Sequence, residues 1–239
     1  MPDQPLTLSV PGHAELHLTT RSGPVTVTAE DRADVLIESG APSEDRIERD
    51  AAGLISLRAA KPSSALRVRC PAGSDVVVGT ISGKVNLAGP IGRVRITTVS
   101  ASIEVERAET LDVRSVSGNI DVGHCAGSCR LQTKSGRAVC GTTDNAEVST
   151  ISGRIQLEKT SGKVRAQSVS GRIEVGTQIE GDVSVRTMSG QVKVAVPRGV
   201  RPATELKSMT SRPRVECEEG SDCRVAVRSM SGKILVVAE

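Results

Sequence analysis

Phenylalanine, tyrosine and tryptophan are absent from all 239 residues of this chain. Rings usually supply much of a core's burial, the stacking platforms for sugars and bases, and the anchors of many interfaces. Any core here must be aliphatic, and thin layers of Val, Ile and Leu fill a narrow interior evenly. A dominant charge is lacking too. Lys and Arg total 31 against 28 Asp and Glu, a net +3. That argues against a dedicated nucleic-acid binder, in which one basic face usually dominates the total. Long apolar runs are also missing, since no stretch approaches the about 18 residues of a membrane-spanning helix. Met1 to Val10 has no basic segment leading into an apolar one, so no signal peptide is expected. The expected location is therefore cytoplasmic, where the six cysteines stay mostly reduced.

What the chain does have is a repeat. A corner of Thr or Ser, an apolar residue, Ser and Gly appears as Thr80-Ile81-Ser82-Gly83, Ser115-Val116-Ser117-Gly118, Thr150-Ile151-Ser152-Gly153, Ser168-Val169-Ser170-Gly171, Thr187-Met188-Ser189-Gly190 and Ser229-Met230-Ser231-Gly232. Looser copies stand at Thr98-Val99-Ser100-Ala101, Thr133-Lys134-Ser135-Gly136 and Ser208-Met209-Thr210-Ser211. The spacing alternates between 17 and 18 residues and stretches to 19–21 near the C-terminus. Around each corner apolar and polar residues alternate, the period of a half-buried strand. Three positions after the corner serine come Val85, Ile103, Ile120, Ala138, Ile155, Ile173, Val192 and Ile234. Five positions after it come Leu87, Val105, Val122, Cys140, Leu157, Val175, Val194, Val215 and Val236. Four positions before it stand residues such as Val78, Ile96, Val113, Val148, Leu206 and Val227.

Each repeat thus holds two short strands joined by a Ser-Gly corner, where glycine tolerates positive φ and serine bonds nearby backbone. Such units suit coils stacked at about 4.8 Å per layer, which puts equivalent residues above one another. An antiparallel meander gives less reason for strict columns. The expected fold is all-β, stacked two-strand repeats in a β-solenoid-like array with an irregular N-terminal β cap. Residues 1–71 are read as the capping unit and 72–239 as one continuous array. Thr20-Arg21-Ser22-Gly23 with Val25 and Val27 fits the template once. Leu54, Ser56 and Leu57 suggest a short strand, Leu66, Val68 and Cys70 re-enter the array, and Glu44 to Ala52 suits a turn or two of helix.

With these columns laid out, the chain resembles the bacterial toast-rack domains, a β-strand-repeat family of unknown function whose members are named "putative adhesins". The resemblance rests on Ser-Val-Ser-Gly-x-Ile-x-Val, clearest at Ser115 to Val122 and Ser168 to Val175, and covers about Leu6 to Val237. It implies a stacked β-fold often attached to membrane or envelope-stress proteins, with no assigned activity and no catalytic signature.

His124, Cys125, Cys129 and Cys140 lie within one repeat, a spacing that zinc permits. Cys140, however, occupies the column of Leu87, Val122 and Val175, Cys129 that of Leu111 and Val183, and Cys70 an inward position. Small thiols pack well there, so core packing is the expectation, with no metal and no cofactor. Cys217 and Cys223 flank Glu218-Glu219-Gly220, where a disulfide needs an oxidising compartment. His13, Glu15 and His17 share one strand face, a weak metal pattern. The corner serines recur too often to be nucleophiles, and no Ser/His/Asp set assembles. A solenoid carbohydrate-active enzyme needs clustered carboxylates, whereas Asp112, Asp121, Glu104 and Glu174 fall on separate repeats among basic residues.

Two surface columns remain. Two positions after the corner serine the chain reads Lys84, Ser102, Asn119, Arg137, Arg154, Arg172, Gln191, Arg212 and Lys233. Stacked, Lys84, Arg137, Arg154, Arg172, Arg212 and Lys233 make a basic stripe able to meet an anionic polymer, an acidic partner or lipid headgroups. Solubility and edge protection explain such charges equally. The second column is the apolar corner residue: Ile81, Val99, Val116, Ile151, Val169, Met188, Met209 and Met230. Either it or the preceding Thr or Ser is the buried one; exposed, it is an adhesive seam. The expected function is a non-catalytic scaffold or binding protein that presents a long face to another protein or to its own copy. The alternative is an envelope-linked sensor of anionic or amphipathic ligands, and an enzyme ranks third.

Overall fold

A computed structural model of the chain describes residues 5–10, 12–40, 47–50, 53–177 and 181–239. These residues form seventeen strands and no helix, and none of the described segments is a helix long and apolar enough to cross a membrane. The chain divides into two compact units, Met1–Val122 and Gly123–Glu239. Residues of the expected N-terminal cap and the first repeats share the first unit.

In the first unit the core is a stack of parallel two-strand coils. β1 (Leu6–Ser9), β2 (Glu15–Thr19), β3 (Val25–Glu30) and β4 (Asp34–Ser39) open it. β5 (Glu48–Arg49), β6 (Leu54–Arg58), β7 (Leu66–Pro71) and β8 (Asp75–Thr80) follow, then β9 (Val85–Thr98) and β10 (Ile103–Ser117). β2 pairs in parallel with β6 on one side and β8 on the other, and β3 likewise with β7 and β9. The β2–β3 coil therefore sits between the two coils that follow it in sequence. β4 runs antiparallel to β7 and β1 antiparallel to β4, finishing the N-terminal edge. Of the stretch expected to turn helically, Glu44 to Arg46, Ala51 and Ala52 lie outside the described residues. Within it, Glu48 and Arg49 pair antiparallel with Ser56 and Ile55 of β6 instead.

Register confirms the columns. Val85 lies beside Ile103, Leu87 beside Val105 and Ile96 beside Val113. All six are buried. Each fully buried aliphatic side chain contributes about 1.5–3 kcal/mol, so one inward column in consecutive layers holds the stack together without rings.

The second unit repeats the plan in β11 (Ile120–Thr160), β12 (Val164–Thr177) and β13 (Val183–Val196). β14 (Pro202–Ser208), β15 (Arg214–Glu216), β16 (Cys223–Ser231) and β17 (Ile234–Ala238) complete it. The longest strands run through their corners because the ladder bonds continue there. Ile155 lies beside Ile173 and Ile173 beside Val192, while Leu157, Val175 and Val194 form the next column.

At its C-terminal end the order departs from the sequence. β13 pairs with β16 and β17, and these in turn with β14 and β15. The last repeat is thus inserted beneath the penultimate one, which becomes the outermost coil among the described residues. Leu206 and Val215, expected to face inward, are consequently only half-buried.

A steric rule explains the exchange. A Cβ on Gly232 would stand 1.8 Å from the Gly190 carbonyl oxygen, and Gly232 has φ of 131°. Glycine suits a corner that lies this close to the backbone of the next coil. The penultimate repeat carries Ser211 at that position and has Pro202 and Pro213, which lack an amide for ladder bonding. It suits the end of a stack, and the glycine-bearing last repeat suits the inside.

Candidate binding face

The corners decide which side chain faces out. In the corner pairs the Thr or Ser is buried, save the half-buried Ser208, whereas the apolar residue after it is exposed: 48% for Ile81 and Val99, 50% for Ile151, 43% for Val169 and 79% for Met209. Alternation alone allowed either. At several corners the backbone gives the inward hydroxyl a partner. Ser115 donates to the Ser117 carbonyl at 3.1 Å, Thr133 to Ser135 at 2.9 Å and Ser229 to Ser231 at 3.0 Å. The Gly83 amide donates to Thr80 Oγ1 at 3.2 Å. A buried hydroxyl without a partner costs about 1–3 kcal/mol, so these bonds favour the inner position at the corners that make them, whereas the Thr150 and Ser168 hydroxyls are buried without a partner. The apolar side chain is then left in water.

These side chains repeat in register. In the first unit the Ser100 amide donates to the Ile81 carbonyl at 2.7 Å and the Ser117 amide to the Val99 carbonyl at 2.8 Å, so Ile81, Val99 and Val116 stand on successive coils. In the second unit Ser152 lies beside Ser170, Ser170 beside Ser189 and Ser189 beside Ser231. Ile151, Val169, Met188 and Met230 accordingly form a row at about the 4.8 Å layer spacing.

The basic column falls differently in the two units. In the first, Lys84 pairs with Glu104 at 3.0 Å, and the following positions are Ser102 and Asn119. In the second, Arg137, Arg154 and Arg172 are exposed, Arg154 lies beside Arg172, and Arg172 lies beside Gln191. Arg172 also reaches Glu174 at 3.8 Å. Lys233 and Arg212 are exposed beyond, with Lys233 on the inner and Arg212 on the outer coil. The sequence order of these two cations is inverted in space.

The other candidates resolve into packing and ion pairs. Cys70, Cys125, Cys129 and Cys140 are buried. Burial pushes the Cys70 thiol up to about 11 against a hydrogen bond with Ser74. Cys129 Sγ lies 3.9 Å from Cys140 Sγ. The contact between Cys125 and Cys129 holds the Cys125 thiol below its ordinary range and, with Cys140 and burial, pushes Cys129 well above it. Among the described residues no three His, Cys, Asp or Glu side chains are placed to hold a metal ion. His17 Nε2 and Glu15 Oε1 meet at 2.8 Å on an exposed strand face. Asp112 faces Arg114 at 3.4 Å, Glu104 faces Lys84 at 3.0 Å and Glu174 faces Arg172 at 3.8 Å, so these three outward carboxylates are paired with cations.

Sequence reasoning missed one charged centre. Glu205 on β14 gathers Arg224 at 2.9 Å and Lys207 and Arg228 at 3.2 Å. Their hydrogen bonds, Arg224 first, hold its carboxyl down to about 2. It borders a shallow open hollow of about 330 Å³ that also touches Asp182, Asp222 and Cys223. Only the insertion of β16 against β14 brings Arg224 and Arg228 to Glu205, and no sequence signal announces it.

Comparison with known proteins follows the architecture. A family model described as Toastrack DUF4097 matches residues 13–212. No curated protein matches the chain. Among solved structures, a "putative adhesin" from Parabacteroides distasonis is similar over 98% of this chain and 96% of its own, at 14% identity and a TM-score of 0.59. A "putative adhesin" from Parabacteroides merdae is similar over 97% and 95%, at 8% identity and a TM-score of 0.53. A "putative lipid binding protein" from Parabacteroides distasonis is similar over 96% of each chain, at 14% identity and a TM-score of 0.50. At these identities the likeness is one of fold.

Proposed function

Because the chain belongs to the toast-rack family described as Toastrack DUF4097, we propose that it is a non-catalytic binding protein whose corner face docks another protein, in the simplest case a second copy. The observation that carries this reading is the in-register row of half-exposed aliphatic side chains at the corners. A solvated surface gains nothing from such a row, and contiguous exposed apolar side chains mark interaction sites. Without Trp or Tyr the face has few strong anchors, so its affinity comes from many weak contacts repeated along the stack. The pairing of Glu104, Asp112 and Glu174 with Lys84, Arg114 and Arg172 supports the non-catalytic part.

Sedimentation over a wide concentration range, with electron microscopy, tests the reading. Defined oligomers or filaments are expected, and Ile151→Lys with Val169→Lys is expected to dissolve them. Both positions are exposed, so the fold should survive, with circular dichroism as the check. A chain that stays monomeric at every concentration, or oligomers unmoved by the pair, would sink the self-docking reading.

A second reading rests on Arg137, Arg154 and Arg172 standing on the same side of three repeats. They would hold an anionic surface through salt-dependent attraction, which fades beyond about 8 Å at physiological ionic strength. Co-sedimentation with phosphatidylserine vesicles should then fall with salt and with substitution of the three by Ala. Binding that ignores both removes the idea.

A further inference from the structure

Three of the four methionines, Met188, Met209 and Met230, occupy the apolar corner position, and all three are exposed, by 51%, 79% and 51%. In sequence each lies 21 residues from the next. In space the order is Met188, Met230, Met209, because β16 is inserted between β13 and β14. Thr187 beside Ser229 and Ser189 beside Ser231 bracket Met188 and Met230. Ser208 beside Ser229 brings Met209 to the other side of Met230, where Thr210 Oγ1 donates to the Met230 carbonyl at 3.5 Å. Three thioethers therefore project from one corner on three successive coils, at about 4.8 Å per layer.

We propose that Met188, Met230 and Met209 form a surface site for one soft monovalent cation, copper(I) or silver(I), bound by three thioether sulfurs. Methionine has three rotatable bonds and a polarizable sulfur, so three side chains rooted a layer apart can turn their sulfurs to one point. Thioethers select soft cations and are poor ligands for calcium, magnesium or manganese. The surroundings sharpen that choice. Arg186, Lys207, Arg228 and Lys233 are exposed in the same corners, and their charge repels a divalent ion, held by electrostatics, more than a monovalent ion bonded through sulfur. A thioether has no proton to lose, so binding here is independent of pH, whereas binding by thiols must release protons. The site differs in this way from the buried Cys125, Cys129 and Cys140.

The site lies at the end of the row that the docking reading uses, and its silver readout is distinguished from docking, which is tested at Ile151 and Val169. Its test is silver(I) nitrate titrated into the full chain carrying Cys217→Ser, which removes the one thiol that is not buried, labelled with ¹³C at the methionine methyls and followed by NMR in chloride-free buffer at two acidic to neutral pH values. The Met188, Met209 and Met230 methyl signals should shift together and saturate at one equivalent, equally at both pH values. Met230→Leu, which removes the middle ligand from an exposed position, should weaken silver binding at least tenfold, and Met188→Leu should weaken it as well. Methyl signals that stay still while silver is taken up, or that titrate separately, would overturn the site. So would Leu variants that bind like the parent.

Discussion

Replacing Gly171 by alanine tests the stacked corner directly. Gly171 has φ of 148°, a region that costs an L side chain about 1–3 kcal/mol. An added Cβ would stand 1.9 Å from the Gly153 carbonyl oxygen and 3.0 Å from its carbon. Both are backbone atoms held in register with Gly171, so no rotamer change can relieve the overlap. The coils must part locally, and losing two ladder bonds costs about 1 kcal/mol each. The sum is about 4 kcal/mol, a large share of the 5–15 kcal/mol of a typical domain. Gly199→Ala is the control: it also has positive φ, 88°, but nothing within 4 Å of the added atom, so only about 1–2 kcal/mol of backbone strain applies. Without aromatic residues the chain has no intrinsic fluorescence, so urea unfolding is followed by far-ultraviolet circular dichroism. With a slope of about 1–3 kcal/mol per molar urea, Gly171→Ala should lower the midpoint by more than about 1 M and Gly199→Ala by less than half as much. Equal shifts in the two variants, or a near-unchanged midpoint for Gly171→Ala, would refute the stacked-carbonyl reasoning.

Two further predictions concern charge and thiols. Glu205, held at about 2 against an ordinary 4.5, favours the folded state above about pH 4.5, and that contribution fades as pH falls toward 2. The difference in urea midpoint between the parent and Glu205→Gln should therefore be present at pH 7 and vanish near pH 2; a difference independent of pH would refute it. Under native conditions at pH 8 a disulfide reagent should modify Cys217 first, because it is the only one of the six cysteines that is not buried. Cys70, Cys125, Cys129 and Cys140 should react only on unfolding, and rapid loss of several thiols would contradict their burial.

Much of this fold is legible in the chain itself. Leu87 beside Val105 and Ile155 beside Ile173 are pairings that the 17- and 18-residue spacing already requires. Period-two alternation assigns Ile103, Val122 and Val175 to the interior, because a strand face must be covered and only one face is apolar. The corner was different. Thr187 and Met188 are neighbours, and alternation buries one without saying which; the answer came from the Ser189 carbonyl, which the Thr187 hydroxyl reaches at 3.3 Å and a methyl cannot use. The helical expectation between Glu44 and Ala52 came from local composition, and at Glu48 and Arg49 pairing with β6 overrode it, as tertiary partners override weak propensity.

The candidate sites were legible as columns and not as constellations. Arg154 beside Arg172 follows from the period. Glu205 with Arg224 and Arg228, and Met230 between Met188 and Met209, do not, since both depend on a repeat that crosses over its predecessor.

The amino-acid sequence by itself determined the layer: two short strands, an aliphatic interior, a Ser-Gly corner and the residues that point outward from it. That information is local, carried within each repeat by period two and by the backbone freedom of glycine. Only the tertiary structure decided the order of the layers at both ends. Similar repeats compete for each place in a stack, and the choice falls to contacts that exist only once stacked, such as the Gly190 carbonyl that admits Gly232 and leaves no room for a side chain.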